Sequence, residues 1–178
     1  MGEGRIMNDI ILEGFMGSGK STIGRIIAKK LNLPLVDVDK KVSGKLGMKP
    51  VEVYDRFGDS YYRAMETVAL NDLIEEGKPA VIVLGSGLAL MEQNDAYLKA
   101  LGKVYYLKIP ASQAVARISK NDKHSWLQDD DLTDHVLKMM KEREPAYVRI
   151  ADMTIPTEGK TNEEIADIIL AAHQKQDA

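Results

Sequence analysis

The feature that most constrains this chain is the stretch Gly14-Phe15-Met16-Gly17-Ser18-Gly19-Lys20-Ser21, which has the G-x-x-x-x-G-K-S spacing of a phosphate-binding P-loop. Its flanks agree with that reading. Ile10, Ile11 and Leu12 form a short aliphatic run suited to a buried parallel strand, and Ile23, Ile26, Ile27 and Leu31 recur at helical spacing beyond the loop. A loop between such a strand and helix turns its backbone N–H groups inward around a phosphate, and the helix start adds its positive end. The pattern predicts that Lys20 reaches the terminal phosphates as a mobile point charge while the Ser21 hydroxyl sits on Mg²⁺.

The whole composition narrows what else the chain can do. With 178 residues, 44% of them hydrophobic, it is long enough for one well-buried domain and too short for two of ordinary size. A net charge of −3 offers no basic surface to nucleic acid or anionic membrane, so a bound anion must be met by locally placed cations, and small-molecule partners fit better. The lack of cysteine excludes disulfides, thiolate metal sites and thiol catalysis. No run approaches a membrane span and Met1 to Asn8 has no secretory core, so a cytoplasmic protein is expected, with residues 1–8 as a terminal tail.

Beyond the first helix, Leu35 to Asp39 alternates apolar with acidic and reads as a second strand with Asp37 and Asp39 on one side of its carboxyl end. Beside a P-loop, two carboxylates there suit phosphoryl transfer, one for the metal shell and one for the attacking hydroxyl. Pro50 to Phe57 is a short helix. Asp59 or Ser60 caps the next, whose buried stripe is Met65, Val68, Ala69 and Leu73, with Arg63 and Glu66 as neighbours that a surface ion pair would explain equally well. Ala80 to Leu84 is a central strand ending in Gly85-Ser86-Gly87, a second glycine loop able to hold a carboxylate or phosphate or simply to turn the chain. A helix over Asp95 to Ala100, a fourth strand over Val104 to Ile109 and a helix capped by Ser112 and carrying Arg117 follow. Ser119 to Asp131 is polar and aperiodic, a lid-like loop holding His124 and Trp126. Leu132 to Tyr147 is a helix buried through Val136, Leu137 and Met140, then a fifth strand over Met153 to Ile155 and a last helix through Ile165, Ile168 and Ile169 complete the chain. Such alternation implies an α/β sandwich with a mainly parallel sheet.

Taken together, Gly14-x-x-Gly17-Ser18-Gly19-Lys20-Ser21-Thr22-Ile23-Gly24, Asp37-x-Asp39, Arg63-x-x-Glu66, Gly85-x-Gly87 and Glu142-Arg143-x-Pro145-x-Tyr147 resemble the shikimate kinase family in content and order, from about Ile10 to Ala172. The resemblance implies a three-layer α/β/α sandwich with a five-stranded parallel sheet, a P-loop NTPase of the nucleoside-monophosphate-kinase type, as a single domain over residues 1–178 with a lid over about 119–131. It implies ATP and Mg²⁺ as cofactors and transfer of the γ-phosphate to the 3-hydroxyl of shikimate. Gly17, Ser18, Gly19, Lys20, Ser21 and Thr22 would hold the phosphates, and Arg117 would pack on the adenine. Ser21 and Asp37 would hold the metal, Asp37 through water. Asp39 would orient or deprotonate the attacking hydroxyl, and Arg63, Arg143 and the loop at Gly85 and Gly87 would bind the acid. A monomer is expected. Pairs of guanidiniums suit a planar carboxylate in a way that lysine does not.

Two departures stand out. The family's lid segment Arg-Pro-Leu-Leu aligns with His124-Ser125-Trp126-Leu127, which lacks the arginine, and the usual triple glycine is Gly85-Ser86-Gly87. They leave two other readings beside shikimate phosphorylation: a kinase of the same fold acting on another small hydroxy acid, and a nucleotide-binding homologue that no longer transfers phosphate.

Overall fold

The apolar run after Asp9 is buried on both faces because it occupies the middle of the sheet. The computed structural model describes residues 8–120 and 132–176. Within them five strands, β1 (Asp9–Gly14), β2 (Leu35–Asp37), β3 (Val81–Val83), β4 (Gly102–Lys108) and β5 (Met153–Pro156), pair in the order β2-β3-β1-β4-β5, all parallel. The register sets Ile11 beside Ile82 on one side and Val104 on the other.

Alternation along β1 separates two cores. Ile10 and Leu12 pack with Ile23 and Ile27 of α1 (Lys20–Leu31) and Ile165 and Ile169 of α8 (Asn162–Gln176). Ile11 faces the opposite layer, where α2 (Val38–Leu46), α3 (Pro50–Phe57), α4 (Asp59–Glu76) and α5 (Asp95–Leu101) supply Val42, Val53, Leu70 and Leu98. A third cluster joins Phe15 and Tyr106 to Ala114 and Ile118 of α6 (Ala111–Ser119) and Val136 and Tyr147 of α7 (Leu132–Ile150). The architecture is therefore the expected three-layer α/β/α sandwich on a five-stranded parallel sheet. The loops after β1, β2 and β3 all leave from the carboxyl ends of neighbouring strands, the edge on which open α/β sheets bind ligands.

Several local expectations are corrected. The second strand ends at Asp37, and Asp39 lies in the first turn of α2. Asp37 is the N-cap of that helix, accepting from the Lys40 N–H at 3.1 Å, and Val38 and Val42 give the helix its buried face. Val68 is exposed. It sits two residues past the fully buried Glu66, which turns it about 160° around the helix from that side chain and off the stripe formed by Tyr62, Glu66, Ala69 and Leu73. Leu137 is exposed for the same reason, roughly 100° from Val136. Gly58 rather than Asp59 or Ser60 precedes α4, and Pro110 rather than Ser112 precedes α6. Most of the lid at 119–131, with His124 and Trp126, and most of the terminal tail at 1–8 lie outside the described residues; the backbone carbonyl of Asn8 is within 3.3 Å of the His173 ring.

Candidate functional site

The P-loop occupies the turn from β1 to α1. Gly19 precedes the helix at φ 94°, a left-handed conformation that a side chain would strain, and its carbonyl accepts the first helical bond from Ile23. Lys20 folds back onto its own loop, donating to the carbonyls of Gly14 and, at 3.2 Å, Phe15. Burial lowers its ammonium to about 8, opposed by the nearby carboxylates of Asp39 and Glu13. A phosphate entering the loop would meet this ammonium and the loop N–H groups. The Ser18 hydroxyl is buried with no hydrogen-bond partner, whereas Ser21 and Thr22 are exposed at the helix start. Arg117 of α6 lies across the loop, donating from Nη1 to the Gly17 carbonyl at 2.6 Å.

Asp37 and Ser21 line one depression between α1 and the end of β2, together with Arg25 and Lys40. Two oxygen donors facing one recess fit a hard divalent cation. Among the described residues no group of three or more His, Cys, Asp or Glu forms a metal cluster.

Asp39 does not line that recess. Its carboxylate lies against Gly85, where an added Cβ would come within 2.8 Å of Oδ1, and it accepts a hydrogen bond from the Tyr62 hydroxyl. Burial pushes its carboxyl above the usual range, with the Tyr62 hydrogen bond acting the other way.

Arg63 and Glu66 are not the surface pair that spacing alone allowed. They form a buried ion pair of 2.7 Å on α4, with Glu66 fully inaccessible, and burial raises the Glu66 carboxyl to about 7 against the pull of Arg63. The Arg63 guanidinium lies so close to Gly87 that an added Cβ would sit 2.3 Å from Nη2. Arg143 reaches the same loop from α7, donating to Ser86 Oγ at 2.7 Å, with its guanidinium carbon 6.0 Å from the centre of the Phe15 ring. Two guanidiniums and two carboxylates, one of them paired with Arg63, thus meet three consecutive residues of the β3 loop. Charge and geometry there suit a small acid bearing a hydroxyl.

Three residues had no role assigned from sequence. Tyr62 holds Asp39 and stacks on Tyr54 with ring centres 4.5 Å apart; its place on the helical face of Glu66 was the available signal. Tyr147, one turn beyond Arg143, donates to the Ser86 carbonyl. Glu13 is buried at the end of β1 with neither carboxylate oxygen hydrogen-bonded.

A family model described as "Shikimate kinase" matches residues 16–174. A shikimate kinase from Thermodesulfovibrio yellowstonii is 33% identical over 169 residues, covering 95% of this chain and 96% of its own. One from Caldanaerobacter subterraneus subsp. tengcongensis is 34% identical over 169 residues, covering 95% and 98%. Among solved structures, the shikimate kinase of Acinetobacter baumannii in complex with shikimate superposes with a TM-score of 0.87 at 29% identity, covering 96% of this chain and 94% of that one.

Proposed function

This chain belongs to the shikimate kinase family and has its nucleoside-monophosphate-kinase-like fold, and from that premise we propose how its residues transfer the γ-phosphate of ATP to the 3-hydroxyl of shikimate. The observation that carries the reading is the convergence of Asp39, Arg63 and Arg143 on Gly85, Ser86 and Gly87, one strand from the P-loop.

Gly17, Ser18, Gly19, Lys20, Ser21 and Thr22 hold the triphosphate, and Arg117 packs on the adenine from its position over Gly17. Lys20 leaves its own loop carbonyls and meets the transferring phosphoryl group. Arg63 and Arg143, with the loop at Gly85 and Gly87, bind the carboxylate of the acid. Asp39 orients the 3-hydroxyl and accepts its proton as that oxygen bonds the γ-phosphorus and ADP departs. Mg²⁺, when bound, neutralises charge on the phosphate oxygens. Ser21 would ligate it directly and Asp37 through water, a donor set of the kind such a cation takes. Residues 1–178 then act as one domain whose lid spans about 119–131, a cytoplasmic monomer without nucleic-acid or membrane partners. No helix among the described residues is long and apolar enough to cross a membrane.

The test is ADP release in a coupled assay with shikimate, Mg²⁺ and each omitted in turn. Release that requires both is expected. Release only with another hydroxy acid, or ATP binding without any turnover, would refute the reading.

A further inference from the structure

The β3 loop carries a single side chain between its two glycines, and that side chain is held by the arginine of the opposite helix. Arg143 donates to Ser86 Oγ at 2.7 Å, while Tyr147 from the same face of α7 donates to the Ser86 carbonyl. Ser86 is therefore fixed at both hydroxyl and backbone. A guanidinium has only donors, so the Ser86 oxygen must be the acceptor in the first of these bonds. Its own hydroxyl hydrogen is left over, and among the described residues no group is bonded to it. The next residue, Gly87, has the Arg63 guanidinium packed directly against it. The free hydroxyl hydrogen thus sits beside Arg143, one residue from the glycine against which Arg63 packs, and neither neighbouring position admits a Cβ without displacing Asp39, Glu66 or Arg63.

We propose that Ser86 is a specificity residue of the acceptor site: its hydroxyl, oriented by Arg143, donates a third hydrogen bond to the carboxylate of the acid held by Arg63 and Arg143. The proposal rests on the functional reading above. It makes the site select a planar carboxylate, since an amide or alcohol offers that hydroxyl and two guanidiniums no comparable anionic acceptor. It also gives the serine a role that glycine at the same position could not fill.

Calorimetry on the full chain, with shikimate and with its carboxamide, tests the assignment in wild type, Ser86→Ala and Ser86→Thr. Loss of one hydrogen bond to a charged group should weaken shikimate binding about ten- to a hundredfold in Ser86→Ala. Carboxamide binding should change far less, ATP affinity should not change, and Ser86→Thr should recover most of the loss. Equal shikimate affinity in wild type and Ser86→Ala, or equal losses for acid and carboxamide, would overturn the inference alone. Wild-type protein that binds ATP but no shikimate would overturn the functional reading and this inference with it.

Discussion

Replacing Glu13 by glutamine should stabilise the fold, by an amount that grows with pH. Glu13 is 1% exposed and neither of its oxygens finds a hydrogen-bond partner. Burial raises its carboxyl from 4.5 to about 9; Lys20 and Arg149 pull it down by less, and Asp95 pushes it up. Tyr106 of β4 and Tyr147 of α7 also feel its charge. Between those two pH values the folded chain keeps the proton and the unfolded chain releases it, so the unfolded state binds fewer protons and stability falls as pH rises. At about 1.36 kcal/mol per pH unit the cost is about 1 kcal/mol at pH 5 and about 3 kcal/mol at pH 7. Glutamine has the same shape and no proton to lose, so the variant should gain these amounts over wild type. At pH 7 that is a rise of roughly 6–12 °C in Tm for a chain of this size. Asp9 and Glu66, raised by burial to about 6 and about 7, titrate in the same window in both proteins and cancel in the difference, and Lys20 titrates above it. Urea unfolding followed by far-UV circular dichroism at pH 5, 6 and 7 measures the gap. A gap that stays constant with pH, or a glutamine variant less stable at pH 7, would refute the argument.

Other consequences are open to direct measurement. Asp39→Asn should lower kcat by roughly 10²–10⁴-fold while leaving ATP affinity within about twofold, because the residue contacts the acceptor side alone; loss of ATP binding in a titration would contradict that role. Gly87→Ala should push the Arg63 guanidinium aside and leave Glu66 unpaired, raising KM for the acid at least about tenfold and costing about 1–3 kcal/mol of stability, with KM for ATP unchanged in steady-state assays. His124→Arg should raise activity on shikimate, as it restores the cation that the family's lid carries at the aligned segment; no change in kcat/KM would mean that another group already supplies it.

The P-loop, the strand count and the parallel sheet were legible because each is written in local spacing: fixed glycines, aliphatic runs and helical periods. The placement of Asp39 was not, because alternation over Leu35 to Asp39 continues smoothly past the point where Asp37 caps a helix, and only the buried Val38 and Val42 reveal the change of period. Spacing brought Arg63 and Glu66 together but could not distinguish surface from interior. Their burial depends on α4 packing beneath the β3 loop, a tertiary relation that no single segment contains. Glu13 is the sharper case. A charged residue near the end of a strand suggests a solvent edge, yet Glu13, in register with Tyr106 of β4, is almost wholly buried. The hydrogen-bonding roles of Tyr62 and Tyr147 were hidden for a related reason, since a tyrosine on a buried helical face reads as core until the partner of its hydroxyl is known.

The most direct test is a crystal structure of the wild-type protein with ADP and shikimate bound. The carboxylate is expected between Arg63, Arg143 and Ser86, with the 3-hydroxyl within about 3 Å of Asp39 on the side facing Lys20. A shikimate carboxylate bound away from both arginines, or an acceptor hydroxyl out of reach of Asp39, would contradict that placement.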